Sequence, residues 1–149
     1  MVVVYEFLGA EPIENVITCM NYEVDKAVFF GYEDRIQALK ASTDKFLKEI
    51  CGVTEVVYYA LPKDDLQSVL NVMRKEIESE LEQNNQIYFD ITGGESLFLV
   101  AFGMLSSQYK TPIHQFDVVN NKIIELVEGA DTSISHEVIK QKISLIFLY

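Results

Sequence analysis

Cysteine is scarce in this chain: its 149 residues hold two, Cys19 and Cys51. Two so far apart provide neither a disulfide framework nor a CxxC motif, and each reads as a small buried apolar residue. Basic residues are scarce as well, 12 against 23 acidic ones, for a formal net charge of −11. That balance disfavours a sequence-independent grip on a long polyanion such as duplex DNA, so an anionic ligand would have to be held locally. No apolar run approaches the roughly 18 residues that a membrane span requires. The opening MVVVYEFLGAEP also lacks the basic segment and small-residue cleavage site of a signal peptide, and a cytoplasmic location with no membrane partner is expected. What is present, 49% hydrophobic and 23% charged residues, is the composition of an ordinary globular domain. Disorder, collagen and coiled coil are excluded, and the length fits one full domain.

Strand and helix patterns alternate. Val2 to Phe7 is a β-branched and aromatic run ending at Leu8-Gly9-Ala10, and Pro12 then suits the first turn of a helix carrying Ile13, Val16, Ile17 and Met20 on one stripe. Ala27 to Phe30 reads as a second strand, followed by a helix from Asp34 that Gly52 stops. Val53 to Ala60 is a third strand. A helix from about Asp64 to Glu82 is amphipathic, with Arg74, Lys75, Glu76, Glu78 and Glu80 largely on its wet face. Ile87 to Ile91 is a fourth strand, and Thr92-Gly93-Gly94 leads into Ser96 to Tyr109, a helix apolar on nearly every side that is expected to be buried. Ile113 to Val119 and Ile123 to Val127, joined at Asn120-Asn121, read as a hairpin with a type I′ turn. Ser135 is placed to cap a last helix through Tyr149, whose apolar end is read as a truncation or a partner-facing surface.

Such alternation predicts an α/β fold: a Rossmann-like, mostly parallel sheet of order 3-2-1-4-5-6, its last strand antiparallel through the hairpin, with helices on both faces. In that order the sheet reverses its direction of growth between strands 1 and 4, and ligands bind beyond their carboxyl ends. The loops there are Gly9-Ala10-Glu11 and Thr92-Gly93-Gly94-Glu95-Ser96. A glycine pair before a helix lets backbone approach a ligand closely, and the helix start favours an anion, so such a loop holds phosphate without net positive charge. The alternative is a tight turn with Glu95 as a first-turn acid.

Named motifs are missing. Gly9 does not begin GxGxxG, and Gly94 is not followed by GK[ST], which removes support for nicotinamide cofactors and nucleoside triphosphates. Gly94-Glu95-Ser96-Leu97-Phe98 has Phe where a nucleophile elbow needs glycine, and neither His114 nor His136 has metal-ligand spacing, so no catalytic or metal residues are assigned. Phe29-Phe30 and Tyr58-Tyr59 read as core aromatics, and Asp90, two residues before the glycine loop, as a hydrogen-bonding shaper of it.

The stretch Tyr88-Phe89-Asp90-Ile91-Thr92-Gly93-Gly94-Glu95-Ser96-Leu97, with the apolar helix after it, resembles the signature segment of CARF domains, the CRISPR-associated Rossmann folds. It is most similar to the subgroup fused to a restriction-endonuclease-like nuclease domain. The opening agrees, from the first strand through Gly9 to Glu11 and Glu14 to Met20, on to Asp25 to Gly31, and the likeness covers about residues 1–130. It implies a homodimer binding cyclic oligoadenylate, as cyclic tetra-adenylate or hexa-adenylate, with no further cofactor. Thr92, Gly93, Gly94, Glu95 and Ser96 would line the phosphate and ribose path, and Gly9, Ala10 and Glu11 would face them. It further implies a ligand-sensing domain over 1–130 and a connecting helix over 131–149, leading to a nuclease domain not in this sequence. One departure stands out: many CARF domains carry a lysine after the glycine pair, where this chain has Glu95, Ser96 and Leu97. Two alternatives remain at this point, a ring nuclease that cleaves the same ligand and a regulatory α/β domain that binds no nucleotide.

Overall fold

The computed structural model describes residues 1–117 and 119–127. Six strands form one sheet of order β3-β2-β1-β4-β5-β6: β1 Val2–Phe7, β2 Lys26–Gly31, β3 Glu55–Ala60, β4 Gln86–Asp90, β5 Ile113–Asp117 and β6 Lys122–Val127. Every neighbouring pair is parallel except β5 with β6, and the expected architecture is the one observed. The helices are α1 Ile17–Asn21, α2 Glu33–Phe46, α3 Leu66–Glu82 and α4 Ser96–Tyr109. The last residues, with the expected capping by Ser135, His136 and the connecting helix, lie outside those described.

Strand periodicity divides the core into two layers. Val4, Leu8, Phe29 and Tyr88 pack on one face with residues of α1 and α2, and Val3, Tyr5, Phe7, Phe30 and Phe89 on the other with α3 and α4. Aromatic rings fill the second layer: Phe7 lies 4.3 Å from Phe98 and Phe89 stacks on Phe102 at 4.7 Å between centroids. Phe29 and Phe30 are fully buried, whereas Tyr58 and Tyr59 are half-buried, because β3 is an edge strand. They stack on those phenylalanines at 5.4 and 5.6 Å and cover them from the side.

Several local departures from the sequence reading have physical causes. The stretch after Pro12 is not one helix: Pro12–Asn15 is a 3₁₀ turn and α1 begins at Ile17. Asn15 is turned back to bond Gly9, which holds the chain off an α-helical path. The helix ended by Gly52, which sits at φ 74°, finishes in a π-helical turn over Leu47–Cys51, and Cys51 is half-buried where Cys19 is buried. On α3 the cap is Asp65, whose carboxylate accepts from Ser68 N at 3.0 Å, and Glu80 is not on the wet face. It is buried, held by Lys26 Nζ and Asn85 Nδ2 at 2.5 Å each.

The remaining departures concern α4 and the hairpin. Val100 and Met104 on α4 are 51% and 46% exposed, so this helix buries one side only, through Phe98, Ala101, Phe102 and Leu105. The hairpin register pairs Asp117 with Lys122, which leaves four linking residues instead of the two of a type I′ turn. Asp117 accepts from Val119 N and Asn120 N in that loop, and Asn121 takes the positive φ, at 54°. No helix among the described residues is long and apolar enough to cross a membrane.

Candidate functional site

The two expected loops meet at the carboxyl ends of β1 and β4, strands that run side by side with Glu6 level with Asp90. Their contact is close: a Cβ on Gly9 would lie 3.2 Å from the Gly93 carbonyl oxygen, and one on Gly93 would lie 2.9 Å from Glu14 Cβ. Glycine at 9 and 93 is therefore what lets loop meet loop, with the Glu14 side chain between them. Asn15 locks the first loop. It is buried, accepts from Gly9 N at 2.7 Å and donates through Nδ2 to the Gly9 carbonyl at 3.2 Å. Ala10 and Glu11 beyond it are exposed.

In the second loop the five expected residues, 92–96, have different surroundings. Thr92 Oγ1 donates to Asp90 Oδ1 at 2.6 Å and accepts from Phe116 N at 3.0 Å, so this hydroxyl is committed to joining the loop to β5. A Cβ on Gly94 would run into the Leu99 side chain. Ser96 is exposed at the start of α4, whose first turn no side chain caps. Glu95, at the capping position, turns away from its own helix.

Glu95 turns toward Arg35. Arg35 Nη1 donates to Glu95 Oε1 at 3.2 Å and to the Leu8 carbonyl at 3.5 Å, and the guanidinium lies 5.8 Å from the Phe7 ring centroid. Burial and then the neighbouring Glu95 push the Tyr32 hydroxyl up, and Lys63 Nζ sits 4.9 Å over the Tyr32 ring. Arg35 further faces Glu14, whose carboxyl is pushed above its ordinary range by burial and by the neighbouring Glu11. The loops after strands 1 and 4 carry no Lys, Arg or His in the sequence. Arg35 and Lys63 follow strands 2 and 3, whose carboxyl ends share that edge of the sheet.

Beneath the loops lies a buried acid pair. Glu6 and Asp90, each 2% exposed, stand on adjacent strands facing α1. Asp90 accepts from Thr18 Oγ1 at 2.5 Å and from Thr92 N at 3.1 Å, the bond to a loop amide expected of it. Burial pushes its carboxyl up to about 6, against the lowering effect of those donors. Glu6 is pushed well above the carboxylate range by burial and then by the charge of Asp90, and Cys19 Sγ lies 3.9 Å from its Oε1. Its Oε2 has no donor, which suits the protonated acid that burial and the charge of Asp90 favour. No group of three or more His, Cys, Asp or Glu among the described residues is arranged to hold a metal ion.

Chemically, this edge offers a rigid backbone turn, one guanidinium with an ammonium nearby, and carboxylates that accept from hydroxyl or amino groups. No family model matches the sequence, and no curated protein matches it either. Solved structures do share the fold. The protein VC1899 from Vibrio cholerae superposes with a TM-score of 0.72 at 10% identity, over 91% of this chain and 35% of that one. Can2 from Sulfobacillus thermosulfidooxidans, in complex with cyclic tetra-adenylate, gives 0.74 at 12% identity, over 95% of this chain and 40% of that one. A type III CRISPR defence DNA nuclease activated by cyclic oligoadenylate gives 0.64 at 10% identity, over 85% of this chain and 20% of that one. The Rossmann-like fold is thus shared with these three proteins, and this chain spans two fifths or less of each of them.

Proposed function

We propose that this chain is a sensor domain for cyclic oligoadenylate, cyclic tetra-adenylate in particular, bound where residues 9–11 and 92–96 meet. Two copies form the receptor, and ligand binding controls a nuclease domain of the restriction-endonuclease-like kind in a longer polypeptide. The observation that carries this reading is the contact of the two glycine loops at the point where the sheet reverses its order, immediately before α4. Ligands of that fold class sit at this place, and cyclic tetra-adenylate is the molecule held by the similarly folded Can2. The exposed Val100 and Met104 on α4, one turn apart on the helix that leaves the site, supply an apolar face for a second copy. A symmetric ring suits a two-fold receptor whose halves each contribute one loop pair.

Calorimetric titration with cyclic tetra-adenylate and cyclic hexa-adenylate tests the proposal, followed by chromatography of the ligand after incubation. One intact ring per two chains is the expected result, and linear products would make the protein a ring nuclease instead. Absence of heat with both rings would overturn the nucleotide reading. Ser96→Glu is the matching site variant: an acid in the first turn suits the helix dipole, so the fold is retained, while charge and bulk enter the phosphate path and binding is lost. Gly94 is less suitable, because any side chain there meets Leu99 and perturbs packing as well.

A further inference from the structure

The cation at this site is engaged in a way that a ligand can undo. Arg35 meets Glu95 through one nitrogen and one oxygen at 3.2 Å, and their side chains are 27% and 43% exposed. A guanidinium presents five donors in a planar fork, and a single-point pair with a half-exposed carboxylate uses little of that capacity. Phosphate oxygens satisfy the fork bidentately, with shorter and stronger bonds. The guanidinium is already positioned for them. The Phe7 ring and the Leu8 carbonyl hold it at the end of β1, in reach of both glycine loops. The Glu95 side chain is 43% exposed, so water satisfies its carboxylate when Arg35 leaves.

We infer that Arg35 is the phosphate-recognising residue of this site and that Glu95 is a built-in competitor, occupying the guanidinium until a phosphodiester displaces it. This inference rests on the proposed function for the identity of the ligand, though not for the exchange itself. The cation of this site arrives from α2, and the position after the glycine pair carries the acid that holds it.

Binding of cyclic tetra-adenylate, cyclic hexa-adenylate and, separately, pyrophosphate is measured for the wild type, Arg35→Gln, Arg35→Lys, Glu95→Gln and the Arg35→Gln/Glu95→Gln double variant. Loss of the fork weakens phosphate binding about tenfold to a hundredfold in Arg35→Gln. Arg35→Lys, which keeps the charge, falls between that variant and the wild type. Glu95→Gln binds roughly threefold to fivefold tighter because the competitor is gone. The double variant matches Arg35→Gln, since without Arg35 there is nothing for Glu95 to block. Rings that bind the wild type and all variants equally would overturn the role of Arg35 and leave the sensor reading standing. If neither ring binds but pyrophosphate follows the expected order, the exchange stands and cyclic oligoadenylate is refuted. If no anion distinguishes the variants, the inference is refuted with it. Unchanged melting temperatures show that affinity and not folding has been altered.

Discussion

Stability should fall as pH rises through the range in which most proteins are indifferent, and the buried Glu6–Asp90 pair is the cause. The Asp90 carboxyl, ordinarily at 3.8, is pushed up to about 6 in the folded chain. The folded state therefore holds a proton that the unfolded state has released. For an acid raised in this way, the associated stability is complete below its unfolded value and is lost as pH rises through its folded value. A gap of about two units corresponds to about 3 kcal/mol in total, and roughly half of it falls between pH 5 and 8, clear of precipitation near the isoelectric point of 4.5. Glu6 is raised in the same direction and adds loss of the same sign as pH rises.

Urea unfolding at 25 °C, repeated from pH 5 to pH 8, measures this directly when the wild type is compared with Asp90→Asn. General relief of negative charge at lower pH acts on both proteins alike and cancels in the difference. The wild type should lose stability relative to Asp90→Asn by about 1 kcal/mol or more across that range. Glu6→Gln, which removes the second titrating carboxyl, should lose the part of the slope that Glu6 adds while retaining the Asp90 part. Parallel curves for the wild type and Asp90→Asn would refute the shared-proton arrangement.

Three further outcomes follow from particular contacts. Asn15→Ala removes both bonds to Gly9 and leaves a buried loop amide without its partner, a cost of about 2 kcal/mol in urea unfolding together with weaker ligand binding. Lys26→Met strands the buried Glu80 carboxylate beneath Asn85 and should destabilise by about 3 kcal/mol, with Lys26→Met/Glu80→Leu recovering most of the loss in the same assay. Met104→Glu leaves the monomer fold intact because the side chain is half in solvent. Sedimentation velocity should show it lowering self-association, and an unchanged dimer would remove α4 from the interface.

Strand order and the meeting of the two glycine loops were legible because both follow from one regularity, the alternation of short β-branched runs with helical periods, and because right-handed crossovers leave few ways to arrange them. The exposure of α4 was not legible: a helix apolar all round has no stripe, so composition cannot tell which side its neighbours cover, and the structure covers the side of Phe98, Phe102 and Leu105. Glu6 carried a signal that went unused. A charged residue in the middle of a parallel sheet covered by helices on both faces must be buried, and a second acid at the matching level of the neighbouring strand makes a proton-sharing pair the natural resolution. Arg35 carried none, since nothing in the sequence joins the first turn of one helix to the capping residue of another 60 positions later. The consequence reaches the charge argument itself. A net charge of −11 bears on long polyanions, whose affinity is summed over many contacts, and not on a ring of a few phosphates that one fixed guanidinium and a helix start can meet. In the proposed complex the surrounding carboxylates would accept from ribose hydroxyl and adenine amino groups and compete for the same arginine. Anions that offer neither compensation, such as duplex DNA, meet only the repulsion.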